Sequence, residues 1–304
     1  MSSLQEYAAG MDDVLRPHGE IDALPYYGTI AHKLQRFLHG RELATRTWLP
    51  SARVPVVVKR GSLNPPLFVA QMAGAVTPEL VEARRKYAHL EEAKHALSPG
   101  QALVWFYFVP RKLMGFHYAT NREGEGREIS RIFFDLDRPR RVSVEDAIEV
   151  ASLLAQEAVE DELARELIKG DPLVSWTGNS FHVMLFLRQA QPASFYREHL
   201  EYTGSDTTMT DRWIRKVAGR AKVKVAGGHA RRPDTLIVDP SQTPSGKLCR
   251  VPLGSLHMAD AYTVDGVSVP LRPDMLHRSV VPDLLSYTPG RIIDELDELS
   301  RRLP

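Results

Sequence analysis

The stretch 129–139, I-S-R-I-F-F-D-L-D-R-P, constrains this chain more than any other. Ile132, Phe133 and Phe134 form an apolar run that reads as a short buried strand. Asp135 and Asp137 follow at i and i+2. Side chains two apart on a strand share a face, so both carboxylates project to one side and Leu136 to the other. Two acids crowded on one face repel each other unless a cation lies between them, and a hard, oxygen-loving Mg²⁺ or Mn²⁺ suits that arrangement. Arg138-Pro139 ends the strand, because proline cannot donate to a sheet ladder. The plainer alternative is a strand end carrying two solvated acids.

Downstream sequence weighs against the plainer alternative. Residues 174–187, V-S-W-T-G-N-S-F-H-V-M-L-F-L, parse as strand, small polar turn and strand. Ile237-Val238-Asp239 is a short apolar run ending in an acid, and R-V-P-L-G-S-L-H follows at 250–257. Between them, residues 212–232 carry Arg212, Arg215, Lys216, Arg220, Lys222, Lys224, Arg231 and Arg232 with no acid among them. That run is either a solvated helix face or a phosphate-binding surface.

The remaining elements predict an α/β protein, a mixed sheet flanked by helices. Residues 1–50 read as mostly helical, with Ile30, Leu34, Phe37 and Leu38 on one face before Gly40. Residues 55–59 read as a strand. Thr77-Pro78 opens a helix expected to reach about Leu97. Residues 102–109, A-L-V-W-F-Y-F-V, read as a buried central strand, and 113–119 as a second. Ser143 to Asp146 resembles a capping box for a helix to about Lys169. Thr263 to Leu271 reads as one alternating strand, and Thr288-Pro289 starts a last helix. Three segments follow: an N-terminal α/β part at 1–100, a catalytic core at 101–271, and a connector with helix at 272–304.

Composition narrows the class. A net charge of +1 does not announce a nucleic-acid partner, so any basic footprint must be local. The single cysteine, Cys249, excludes a disulfide framework or a multi-cysteine zinc site within the chain, and no zinc is expected. No apolar run approaches membrane-spanning length, and M-S-S-L-Q-E-Y lacks the features of a secretory signal, so a cytoplasmic protein with no membrane partner is expected.

Taken in order, F-F-D-L-D-R-P, T-G-N-S-F-H-V and I-V-D followed by R-V-P-L-G-S-L-H resemble the archaeo-eukaryotic primase superfamily. Its members include primase small subunits, primase-polymerases and bacterial end-joining polymerases. The family signature is D-x-D, then S-x-H, then an apolar residue and Asp, here Asp135/Asp137, Ser180/His182 and Asp239. G-S-L-H resembles the R-L-P-G-S-L-H segment of primase small subunits, where the third acid lies about eighteen residues before the histidine, and Asp239 and His257 differ by eighteen. The resemblance covers roughly residues 100–270. The second motif lacks the arginines of the primase form, R-V-P-L-G-S-L-H is one residue longer, and Asp234 competes for the role of third acid.

The resemblance implies a primase-like catalytic core containing an RRM-like unit. It also implies nucleotidyl transfer with two Mg²⁺ or Mn²⁺ ions held by Asp135, Asp137 and Asp239. Thr177, Gly178, Asn179, Ser180, His182, Arg250 and His257 would contact nucleotide phosphates. Arg212, Arg215, Lys216, Arg220, Lys222 and Lys224 would track a nucleic-acid backbone. Trp176 or Phe181 would stack a base or belong to the core. Expected partners are nucleoside triphosphates, a single-stranded or primed DNA template, and a helper subunit or helicase. Within the family, de novo priming competes with repair or end-joining extension. Outside it stand an inactive nucleic-acid-binding replication factor and a haloacid-dehalogenase-like phosphatase, whose first motif F-F-D-L-D also resembles.

Overall fold

The computed structural model describes residues 22–48, 55–109 and 111–304. Two compact units share the chain. One gathers Met1–Tyr118, Arg250–Ser268 and Tyr287–Pro304, and the other Ala119–Cys249 and Val269–Ser286. The chain thus passes between units at several points. Among the described residues no helix is long and apolar enough to cross a membrane.

The first unit begins with α1 (Ala23–Leu34), capped by Asp22, whose carboxylate accepts from the Leu24 amide at 3.1 Å. Tyr27, Ile30, Ala31 and Leu34 give it a buried stripe. The 1–50 region is not helical throughout: β1 (Leu43–Thr47) follows and pairs antiparallel with β2 (Val56–Arg60). The expectation for residues 1–21 lies outside the described residues. Two helices come next, α2 (Val69–Ala75) and α3 (Pro78–Lys86), the latter opening at Thr77-Pro78 as expected.

Helix α3 ends at Lys86 rather than near Leu97. Tyr87 is extended and its carbonyl accepts from Arg111, a tertiary bond that replaces the next helical one. Arg84 on its buried face is held by Asp22 at 2.6 and 2.7 Å and by the Phe108 carbonyl at 3.2 Å.

The apolar run 102–109 is not a strand but lies largely in α4 (Pro99–Tyr107). Ser98, Pro99 and Gln101 form a capping box with proline in the first turn, and a run apolar on every side hides its period. Strand β3 (Gly115–Ala119) pairs with β1, matching Leu43 to Tyr118 and Thr45 to Phe116.

The second unit is built on β4 (Ile129–Asp137), which lies between two partners in a six-stranded sheet. The chain continues through α5 (Val144–Glu160), β5 (Leu173–Trp176), β6 (Phe181–Gln191), α6 (Met209–Arg220), β7 (Lys224–Gly227) and β8 (Thr235–Asp239). Ser143 caps α5 as expected, but the helix stops at Asp161, which caps a separate helix at Glu162–Leu167 and accepts from the Trp213 indole at 3.1 Å.

At 248–250, β9 (Leu248–Arg250) carries the chain back to the first unit. The expected strand 263–271 is two strands. One, β11 (Val264–Val267), pairs with β10 (Leu256–Met258), and the other, β12 (Val269–Leu271), pairs with β5. Ser268 breaks the run, its amide and hydroxyl both donating to the Ser255 carbonyl at 2.9 Å. Pro270 is tolerated because β12 is an edge strand. The last expected helix starts at Thr288-Pro289 as α7 (Pro289–Asp294) but breaks at Glu295, and Leu296–Ser300 form a separate helix.

In the second unit the sheet order is β12-β5-β6-β4-β8-β7, antiparallel except for β7 beside β8. Ile132, Phe134 and Leu136 occupy one face of β4. Phe134 meets Trp213 of α6 with ring centroids 6.0 Å apart, so the helices cover that face. Upstream of its pairing with β8, β4 is held by side chains. The Thr243 hydroxyl accepts from the Phe133 amide at 2.9 Å and donates to its carbonyl at 3.0 Å, as a strand partner would. Asn121 donates to the Arg131 and Thr243 carbonyls at 2.7 and 2.6 Å.

Asp211 anchors the loop before α6. It is buried, yet hydrogen bonds from the Thr203 hydroxyl at 2.6 Å and the Gly204 amide at 2.8 Å outweigh desolvation and hold its carboxyl at about 2. A carboxyl lowered on folding contributes stability that is present above the ordinary value of 3.8 and drains away as pH falls towards 2. Asp211→Ala is therefore expected to destabilise the chain by about 1–3 kcal/mol in urea unfolding at neutral pH. The deficit relative to wild type should shrink as the pH is lowered towards 2.

Candidate active site

The three predicted acids meet through strand register. Asp135 of β4 lies directly opposite His182 of β6 on one side and Asp239 of β8 on the other, and Ser175 of β5 extends the row beyond His182. Residues paired across a sheet share a face, so Asp135, Asp239 and His182 project together. Asp137, two residues on, joins them. The His182 Nε2 lies 3.4 Å from Asp135, and its ring meets Phe133 edge-on at 4.7 Å. Asp234, the rival third acid, is exposed at the opposite end of β8. There it binds Lys224 at 2.5 Å, and that bond holds its carboxyl below the usual range.

The carboxylates are crowded. Burial, with Asp135 and Asp239 close by, raises the Asp137 carboxyl, and Arg231 opposes the rise through a 3.0 Å bond. Asp239 is engaged by its own neighbours: the Ser241 amide and hydroxyl donate to it at 2.9 and 3.0 Å, and His229 Nδ1 lies 2.9 Å away. Burial raises the Tyr196 phenol, with Glu201 and Asp239 adding to the shift. With the side chains so arranged, no three His, Cys, Asp or Glu groups among the described residues converge as a metal cluster.

His229 and Arg231 escaped the sequence reading as partners of the acids. They sit on the strap 228–234 that joins the parallel strands β7 and β8. Such a connection must return along the sheet, and this one has only seven residues, so it runs beside β8. The Gly227-Gly228 pair that opens it was the available signal. A Cβ at Gly227 would fall 2.3 Å from the Tyr202 ring, and Gly228 has φ +97°.

The T-G-N-S turn is self-contained. Thr177 accepts from the Ser180 amide and donates to its carbonyl, both at 3.1 Å, and Gly178 takes a positive φ of 95°. The buried Ser180 hydroxyl donates to the Leu136 carbonyl, which locks the turn onto the D-x-D strand. Both hydroxyls are thus used by the fold. Arg138 holds the turn from outside through the Asn179 carbonyl at 2.7 Å and side chain at 2.8 Å. Trp176 and Phe181 are buried and pack on each other at 5.2 Å, as core residues do.

Arg250 and His257 belong to the first unit. The Arg250 guanidinium reaches the Leu256 carbonyl and the Ser255 hydroxyl, and His257 Nδ1 lies 2.5 Å from Asp265. The six cations of the run 212–224 are all paired: Arg212 with Asp161, Arg215 with Asp206, Lys216 and Arg220 with Glu157, Lys222 with Glu149, and Lys224 with Asp234. Lys216 and Arg220 tie α6 to α5 through Glu157, and the segment is salt-bridged more than it is a free basic surface.

By sequence the chain matches no protein family and no curated protein. By structure it is similar to the polymerase domain of Mycobacterium tuberculosis Ligase D, solved in complex with DNA. The TM-score is 0.53 at 16% identity, over 94% of this chain and 93% of that one. The two share a fold.

Two outcomes follow from the crowding. Asp137→Asn removes a carboxyl whose ionisation costs stability as pH rises through the carboxylate range, so its Tm at neutral pH should equal or exceed wild type. Arg231→Ala removes a cation competing for Asp137. An exposed pair is worth about 1 kcal/mol, so a Mn²⁺ ion held by the acids, as proposed below, should bind roughly fivefold tighter by calorimetry. Weaker binding would show that Arg231 assists the site.

Proposed function

We propose that this chain is a metal-dependent nucleotidyltransferase that extends, and can start, a nucleic-acid strand on a template. The observation that carries the reading is the row Asp135–Asp239 beside His182, with Asp137 next to it. Three carboxylates on one face of the sheet, one of them with a raised pKa, supply the oxygen donors suited to hard divalent cations. Asp135, Asp137 and Asp239 would hold Mg²⁺ or Mn²⁺, which when bound activates a 3′ hydroxyl and neutralises a triphosphate. For the acids to do so, Arg231 and His229 must give up Asp137 and Asp239.

The remaining residues bind and orient. His182, 3.4 Å from Asp135, would donate to a triphosphate oxygen. Backbone N–H groups of Gly178 and Asn179 offer an anion-binding turn, kept in shape by Thr177, Ser180 and Arg138. Arg250 and His257 are proposed to meet phosphate within their own unit, arginine through its planar fork. We read the order β4-α5-β5-β6-α6-β8, with β5-β6-β4-β8 adjacent in the sheet, as the RRM-like unit. The likeness to a ligase's polymerase domain supports nucleotidyl transfer as the reaction class. A phosphatase reading leaves His182 and Asp239 without a role.

Incorporation of labelled nucleotides on single-stranded DNA with Mg²⁺ or Mn²⁺, with and without an annealed primer, tests the reading. Wild type is expected to extend the primer, and Asp135→Ala/Asp137→Ala to lose at least a hundredfold while remaining folded, since these carboxylates would hold the metal. Products without a primer would add priming. No incorporation by folded wild type with either metal would overturn the assignment.

A further inference from the structure

A chain that handles nucleic acid needs cations free to meet phosphates, and the conspicuous basic run is not free. Its six members are each matched to an acid. Cations with no acid partner among the described residues lie elsewhere in the second unit, Lys169, Arg188, Arg197 and Lys247 included. The turn after the D-x-D strand reads R-P-R-R, and Arg140 and Arg141 are exposed with no acid partner among the described residues. Arg232 on the strap is likewise exposed and without one.

Topology brings these side chains to one rim. Strand β8 runs antiparallel to β4 with Asp137 opposite Ile237, so Thr235 at the start of β8 lies level with the residues just past Asp137. Arg232 forms a bridge with Thr235, and Arg231 beside it holds Asp137. Arg138, one residue from Asp137, grips the T-G-N-S turn. The acids nearby are largely occupied: Asp146 and Glu149 bind Arg278, and Lys222 also reaches Glu149. Glu145 lies near Arg138 and offsets only part of the charge.

We propose that Arg140, Arg141 and Arg232 form a phosphate-gripping rim that carries the backbone of a nucleic-acid strand past the acids. The assignment rests on the nucleic-acid reading of the preceding subsection and names the surface that serves it. Arginine suits the task, since its fork matches phosphate oxygens and it is always charged. Backbone contacts of this kind fix position without reading sequence.

The test is binding of a fluorescein-labelled oligothymidylate by anisotropy across a salt series, for wild type, Arg140→Ala/Arg141→Ala and the control Arg215→Ala/Lys222→Ala. All four positions are exposed, and unchanged Tm values would confirm folding. The rim variant should bind several-fold more weakly. Its slope of log K against log salt should fall in magnitude by about 1.4, as expected when two contacts to a single strand are lost. The control should follow wild type. Equal binding by the rim variant, or a loss confined to the control, would overturn the rim. A loss of nucleoside triphosphate affinity with oligonucleotide binding intact would assign these arginines to the incoming nucleotide and overturn it too. If wild type itself binds no oligonucleotide at low salt, the functional reading fails along with the rim.

Discussion

The pairing of β4 with both its neighbours decides what this chain can do. Side chains alternate along a strand, so a one-residue slip in register would turn Asp135 and Asp137 into the face that packs on the helices. Ile132, Phe134 and Leu136 would move out. The apolar triplet therefore fixes the placement of the acids: burying it against Trp213 and its neighbours commits the carboxylates to the other side. Thr243 and Asn121 reinforce the register where β8 does not reach, through hydrogen bonds to the backbone of Arg131 and Phe133.

Crowding three acids on one face has an electrostatic cost, and the fold meets it locally. Arg231 and His229 come from a short strap whose course is dictated by parallel pairing of β7 and β8. A glycine pair beneath Tyr202 gives that strap its entry angle, and Asp211 fixes the loop that follows Tyr202. The same side chains that engage the acids compete with any metal, so the strap and the acids have to be understood as one electrostatic unit. The surface charge follows a related logic: Glu149 and Glu157 of α5, with Asp161, Asp206 and Asp234, absorb the basic run, leaving Arg140 and Arg141 beyond the D-x-D strand unmatched.

What could be read from sequence followed from local rules. The D-x-D strand, the strand-turn-strand around T-G-N-S and the strand ending at Asp239 were legible because each couples a short apolar run to turn residues or an acid. Asp239 could not be separated from Asp234 until register placed one opposite Asp135 and the other beside Lys224. Other features depended on contacts far along the chain. The run at 102–109 was misread because its uniform hydrophobicity hides the period of the helix that Ser98 caps. The helix after Thr77 ended early because Arg111 claimed the Tyr87 carbonyl. The split at Ser268 and the neutralisation of the basic run came from partners no local pattern announces.

The claim at the centre of this account is that Asp135, Asp137 and Asp239 bind divalent cations together. Crystals soaked in Mn²⁺ with a non-hydrolysable nucleoside triphosphate analogue, measured at the manganese absorption edge, test it most directly. The account predicts anomalous density bounded by these three carboxylates, with Arg231 and His229 displaced from them. An ordered site with the analogue bound but no anomalous density among the acids, or manganese held elsewhere, would contradict it.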